Sequence, residues 1–137
     1  MSKNYEGGCR CGAVRYSAAS EALDARICHC RDCQYASGSA FSAIAYFPQD
    51  AVAMSGETRA YSVKGSAGLT VDRHFCPQCG TPIYSRLAEI PGLIFVKLGS
   101  LDDPNAIAPN GHMWCDSMVS WLKLDDGLER LPGNPPL

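Results

Sequence analysis

Between its cysteine groups the chain alternates apolar and polar residues with a period of two, which places every second side chain on the same face of an extended strand. The alternation runs through Ala13-Val14-Arg15-Tyr16-Ser17, Leu23-Asp24-Ala25-Arg26-Ile27, residues 41–47 and Leu69-Thr70-Val71-Asp72-Arg73-His74-Phe75. It returns in Val119-Ser120-Trp121-Leu122-Lys123-Leu124. Residues 93–98 form instead a nearly continuous apolar run rich in β-branched and aromatic side chains, the pattern of a strand buried on both faces. Turn signals punctuate these segments at Ser55-Gly56-Glu57, Lys64-Gly65-Ser66, Pro91-Gly92 and Asp125-Asp126-Gly127. Only residues 31–37 read as a short helical turn. The pattern predicts an all-β domain of roughly eight to ten short antiparallel strands. It is taken as a single domain over residues 1–137, with a polar, proline-rich tail over 125–137 and with Phe41 and Trp121 in the core.

Composition adds constraints. Hydrophobic residues make up 46% of the chain, enough for a core, and charged residues 19%. A net charge of -2, a pI near 5.8 and singly scattered lysines and arginines argue against a general nucleic-acid binder, whose basic residues cluster. The start, Met1-Ser2-Lys3-Asn4-Tyr5-Glu6, is polar and leads into Gly7-Gly8-Cys9 without an apolar signal segment. The longest apolar stretches, such as residues 93–96, are too short to span a bilayer. The expectation is a cytoplasmic protein with no membrane segment, in a compartment that keeps thiols reduced.

That compartment matters because the chain has eight cysteines. They occur as Cys9-x-Cys11, Cys28-His29-Cys30-x-x-Cys33, Cys76-Pro77-Gln78-Cys79-Gly80 and the isolated Cys115. The third group is a zinc-knuckle pattern. Cysteines at i and i+3 can aim both sulfurs at one ion, Pro77 stiffens the turn, and Gly80 permits the positive φ that turns backbone N–H groups toward thiolates. A closed structural site needs two more ligands. Cys9 and Cys11 suit that role if they share one face of an extended segment, an arrangement too tight for an unstrained disulfide. Cys28, Cys30 and Cys33 then remain as a three-ligand set with one coordination position open, the arrangement of catalytic zinc. Spacing alone leaves open a different division, with Cys28 and Cys30 joining the knuckle. The spacings do not match ferredoxin patterns, which favours zinc over iron.

The chain resembles the glutathione-dependent formaldehyde-activating enzyme family, which includes the centromere-protein-V type of domain. The resemblance lies in Gly7-Gly8-Cys9-Arg10-Cys11-Gly12-Ala13-Val14-Arg15-Tyr16, in Cys28-His29-Cys30-Arg31-Asp32-Cys33 through Gly38-Ser39-Ala40-Phe41, and in Arg73-His74-Phe75-Cys76-Pro77-Gln78-Cys79-Gly80-Thr81. It continues through Gly99-Ser100-Leu101-Asp102-Asp103-Pro104 and residues 112–121, so that it covers about residues 7–121 in order. The resemblance implies an Mss4-like β-tent of coiled antiparallel sheets stabilised by zinc, with two zinc ions per chain. It places a structural zinc at Cys9, Cys11, Cys76 and Cys79, and a second, catalytic zinc at Cys28, Cys30 and Cys33. The implied reaction joins glutathione to formaldehyde to give S-(hydroxymethyl)glutathione, a carbon–sulfur lyase activity. No glutathione-binding residues and no general acid or base come with it.

Three thiolates on a divalent ion leave a formal charge of -1, a weaker Lewis acid than zinc held by three imidazoles. Such a site suits a soft ligand, a thiol deprotonated on binding and available for addition to a small aldehyde or for release from one. Two other functions fit the same cysteines. A non-catalytic binding module would have its second site closed, with Cys115 as the fourth ligand and no pocket over it. A redox sensor would lose metal on oxidation of Cys28, Cys30 and Cys33. Among the remaining polar residues, His29 is expected beside the ligands but pointing away from them. His74 is expected as a cross-strand polar residue, and His112 as a residue of a late strand that either lines the pocket or is a satisfied structural histidine. Asp102 and Asp103 should point apart, Arg10 and Arg31 should offset thiolate charge or else meet a glutathione carboxylate, and Cys115 should be a partly buried free thiol.

Overall fold

Alternation decides which face of each strand is buried, and in the computed structural model, which describes residues 4–65 and 67–137, it produces two sheets. The N-terminal Met1-Ser2-Lys3 and Ser66, the last residue of the expected 64–66 turn, lie outside the described residues. In chain order the elements are β1 (Tyr5–Gly8), β2 (Arg15–Ala18), β3 (Asp24–Cys28), α1 (Arg31–Ser37), β4 (Ser42–Pro48), β5 (Val52–Ser55), β6 (Arg59–Lys64), β7 (Thr70–Phe75), β8 (Pro82–Leu87), β9 (Ile90–Lys97), β10 (Gly111–Met113) and β11 (Glu129–Arg130). The small sheet has the order β1-β2-β5, and the large one β11-β10-β3-β4-β9-β8-β7-β6. Helix α1 is the expected turn; it ends at Gly38, whose φ of +64° allows its N–H to cap Gln34 O.

Several expectations differ from the structure. The sheets are antiparallel except where β10 runs parallel to both β3 and β11, in the register His112↔Ile27 and Met113↔Cys28. The long connection from β9 to β10 makes that possible, because parallel neighbours need a crossover rather than a hairpin. Pro91 and Gly92 lie inside β9, and the chain reverses two residues earlier, where Leu87 pairs with Ile90 next to a register shift. A proline is tolerated in a strand near such an irregularity. Residues 119–124 form no strand, and Trp121 is 71% exposed rather than in the core. Alternation makes a strand only where an open sheet edge accepts its hydrogen bonds, and β11 occupies the outer edge of β10.

The two faces of the large sheet build two cores. Ala25 of β3, Ala45 and Phe47 of β4, and Ile94 and Val96 of β9 pack against Val14, Tyr16 and Ala18 of the small-sheet side. On the opposite face, Cys28, Ile44, Tyr46, Leu87 and Phe95 pack with Cys33 of α1 and Met113 of β10. Strands β4 and β9 are thus covered on both faces, as the apolar run at 93–98 requires. Residues 125–137 are not a free tail: β11 pairs with β10, Leu131 N–H bonds to His112 O, and Pro135 is buried. Among the described residues no helix is long and apolar enough to cross a membrane.

Phe47 is fully buried. Phe47→Ala is expected to lower stability by about 3–5 kcal/mol through lost transfer energy and the cavity left behind. Trp121→Ala should change it by no more than about 0.5 kcal/mol. Urea denaturation of the two variants checks both values.

Candidate functional site

The knuckle follows β7. Cys76 N–H bonds to Thr81 O, Gly80 N–H returns to Cys76 O, and Gly80 holds the φ of +77° that its position needs. The loop between β1 and β2 meets it, fastened where Arg10 N–H donates to Thr81 Oγ1 at 3.1 Å. Cys9 and Cys11 share a side because the chain turns there, not because it is extended, a correction to the strand geometry expected of an i, i+2 pair. The sulfurs of Cys9, Cys11, Cys76 and Cys79 all lie within 4.8 Å of one another. Backbone N–H groups of Val14 and Gln78 donate to Cys9 Sγ and Cys76 Sγ at 3.2 and 3.4 Å. Hydrogen bonding to Thr81 pushes the Cys79 thiol down to about 5.

The second cluster forms where β3 runs into α1. Cys28 ends the strand, Cys30 caps the helix with its Sγ accepting from Cys33 N–H at 3.2 Å, and Cys33 follows one turn later. Gln34 anchors the loop by donating to His29 O and Ser117 O. The three sulfurs again lie within 4.8 Å of one another. Hydrogen bonds from Cys28 and Cys33, the Cys33 N–H and the nearby Arg73 guanidinium pull the Cys30 thiol down to about 2. The shared protons push Cys28 up. All eight cysteines are free. Converging sulfurs that accept backbone N–H bonds are the donor set that soft and borderline metal ions take, so both clusters could hold one. Cys115 is half-buried and belongs to neither cluster.

A cavity of about 110 Å³ opens onto Cys28, Cys30 and Cys33. Its walls are mainly apolar, with Tyr46, Leu87, Phe95 and Trp114 among them, and the C-terminal Asn134, Pro135 and Leu137 complete them. Trp114 holds φ at +57°, a left-handed backbone that costs about 1–2 kcal/mol for a residue with a Cβ. It is kept there by Trp114 Nε1–H to Asn134 Oδ1 and by its N–H to Gly133 O. The cations at the cavity are Arg73 and Lys97, not Arg10 or Arg31. Arg31 instead bonds Gln34 and stacks over Tyr35. Lys97 Nζ donates to Ser42 Oγ at 2.7 Å, and burial pushes its pKa down. A sequence signal for Lys97 existed: it is the one charge within the apolar run at 93–98.

The histidines are structural in placement. His29 is fully buried, pointing away from the cavity, with Nε2 2.9 Å from His112 Nδ1. His112, also fully buried, reaches Asp126 Oδ2 through Nε2 at 2.8 Å. This chain ties the second cluster to β10 and to the C-terminal segment. His74 stacks on its cross-strand partner Tyr84. Asp102 pairs with Arg15 and Asp103 accepts from Asn105 N–H, so the two carboxylates do diverge. Phe41 is half-buried against the His29 ring.

The sequence model of a family described as "Glutathione-dependent formaldehyde-activating enzyme" matches residues 4–117. A Penicillium rubens protein provisionally named for that enzyme is 29% identical over 126 residues, covering 86% of this chain and 65% of its own. A Talaromyces marneffei protein of the same provisional name is 26% identical over 126 residues, covering 90% of this chain and 67% of its own. A Schizosaccharomyces pombe protein named an uncharacterised lyase is 31% identical over 80 residues, 58% of this chain and 56% of its own. The chain therefore spans between about half and two thirds of these relatives. A crystal structure of a Rhodobacter sphaeroides protein shares the fold, with a TM-score of 0.57 at 23% identity over 76% of this chain and 91% of that one.

The bond to His112 holds the Asp126 carboxyl below its ordinary 3.8. A depressed carboxyl stabilises the fold above its unfolded pKa, and the contribution is lost as pH falls through 3.8 toward the lower folded value. Asp126→Asn should therefore denature at lower urea than wild type at pH 7, with the difference shrinking as pH drops below about 4. Midpoints measured from pH 3 to pH 7 test this.

Proposed function

The chain belongs to the glutathione-dependent formaldehyde-activating enzyme family, and on that premise we propose that it is a zinc-dependent carbon–sulfur lyase that joins a thiol such as glutathione to a small aldehyde, or releases it. Cys9, Cys11, Cys76 and Cys79 would hold one zinc with every position filled, and Cys28, Cys30 and Cys33 a second with one position facing the cavity. Bound at the three cysteines, zinc would supply a soft Lewis acid that favours the thiolate form of an incoming thiol. The observation that carries the proposal is the cavity opening onto the three-cysteine cluster while Cys115 stays outside it. A purely binding module would have that cluster closed.

The chain's own residues then serve the addition. The apolar walls of Tyr46, Leu87 and Phe95 exclude water, which strengthens every charge interaction inside. As the sulfur–carbon bond forms, the carbonyl π pair moves to oxygen, which takes up the proton that the thiol gave up. Arg73 and Lys97 are the fixed positive charges available to that oxygen and to the thiolates. Gln34 and the Cys33 N–H hold the cluster's backbone and Cys30 in place while this happens. Reduced cysteines suit a reducing compartment such as the cytoplasm.

Elemental analysis of protein purified without chelator is expected to give about two zinc ions per wild-type chain and about one per chain in a folded Cys30→Ser variant. Thiol-binding isotherms should show glutathione binding by wild type and not by the variant. One zinc in wild type, lost together with the fold in Cys30→Ser, would overturn the proposal, as would the absence of thiol binding.

A further inference from the structure

Resting on the cavity as a substrate site, we propose that Arg73 is a carboxylate-recognising residue and that a substrate entering beside Cys28, Cys30 and Cys33 carries a carboxylate. The strand register puts it there. Tyr61, Arg73, Ser85, Phe95 and Tyr46 are successive cross-strand neighbours on β6, β7, β8, β9 and β4. Arg73 thus reaches the cavity from the strand two places away from Lys97.

The Nε and Nη1 atoms of Arg73 are buried and have no hydrogen-bond partner. Arg26 Nη1 also lacks a hydrogen bond of good geometry, but it lies 2.8 Å from Glu129 Oε1 and its Nε bonds Asp24, while Lys97 bonds Ser42. Arg73 differs from both in having neither a hydrogen bond nor an ion pair at its buried donors. Burying guanidinium donors without an acceptor is costly, so the position makes physical sense only if something meets them. The planar guanidinium pairs each of these atoms with Nη2 along an edge that matches the two oxygens of a carboxylate, a geometry lysine does not offer. A guanidinium present only to balance the cysteines would aim these donors at sulfur, and neither makes such a bond. Asp32, the one acidic side chain lining the cavity among the described residues, forms no ion pair with Arg73, and neither does the terminal carboxylate of Leu137.

Arg73 and Lys97 also line a second cleft, of about 230 Å³, walled by Tyr61, Phe75 and Tyr84. A carboxylate held on Arg73 would therefore sit at the border between this cleft and the 110 Å³ cavity. The carboxylate can belong to the thiol or to the aldehyde.

The test uses the zinc-loaded full chain, labelled with 15N so that the Arg73 Nε–H resonance, assigned by its loss in Arg73→Gln, reports on anion binding. Acetate is expected to shift that resonance and acetamide to leave it in place. Mercaptoacetate against 2-mercaptoethanol asks whether the thiol carries the group, and glyoxylate against acetaldehyde whether the aldehyde does. In at least one pair the anionic member should bind about tenfold more tightly, a preference abolished in Arg73→Gln and partly kept in Arg73→Lys. An unmoved resonance with acetate, together with equal affinities within both pairs, overturns the proposal even if both thiols bind. If no thiol binds but acetate still shifts Arg73, the anion site stands and the lyase function falls. Should Arg73→Gln not fold, the wild-type resonance and Arg73→Lys decide.

Discussion

The pairing of β4 with β9 at the centre of the large sheet is the constraint on which the rest of the structure depends. In the register Ala45↔Val96 and Tyr46↔Phe95, one face of the pair supplies the main core and the other the floor of the cavity. Pleating makes these two jobs inseparable, since successive residues of one strand serve opposite faces. Ala45, Phe47, Ile94 and Val96 seal the small sheet against the large one, while Ile44, Tyr46 and Phe95 between them face the cysteines. A slip of one residue would exchange the faces and lose the core and the site together.

On that floor the site is assembled from parts distant in sequence. Cys28 arrives at the end of β3 and Cys33 on the first turns of α1, Arg73 comes from β7, Lys97 from the end of β9, and the last residues of the chain close the wall. The cations offset the negative charge that the cysteines carry when ionised, in a cavity whose walls are otherwise mainly apolar. A hydrogen-bonded chain runs from the buried rings of His29 and His112 to the exposed Asp126. It couples the cysteine loop to the parallel strand β10 and to the segment that ends in the cavity wall. The His112 ring bonds through both nitrogens, whereas Nδ1 of His29 is buried without a hydrogen-bond partner.

Family membership and site geometry bear on different questions. Membership rests on the match over residues 4–117 and relates the chain to proteins whose names carry formaldehyde activation and lyase chemistry. Geometry separates a cluster of four cysteines, set in loops at the edge of the core, from a cluster of three that borders a cavity. The first is suited to holding loops together and the second to meeting a ligand. A fold alone would not distinguish these roles, because one architecture hosts many functions.

The all-β class, the short helix at residues 31–37 and the local groups of cysteines were legible in the amino-acid sequence, because each follows from short-range patterns, whereas spacing left open which groups share a cluster, since Cys9 and Cys11 meet Cys76 and Cys79 only in the fold. The family resemblance was legible for the same reason, being carried by local motifs. Local patterns could not foresee that residues 119–124 would lack a partner edge, that β10 would run parallel to β3, or that the proline-rich end would wall the cavity. Nor could they pick Arg73 and Lys97 over Arg10 and Arg31 as the cations of the site. A cation's place is set by strand order and register, which bring residues 73 and 97 to the same face as residues 28 to 33. Sequence determined which groups this protein possesses, and only the long-range pairing of strands decided which of them meet.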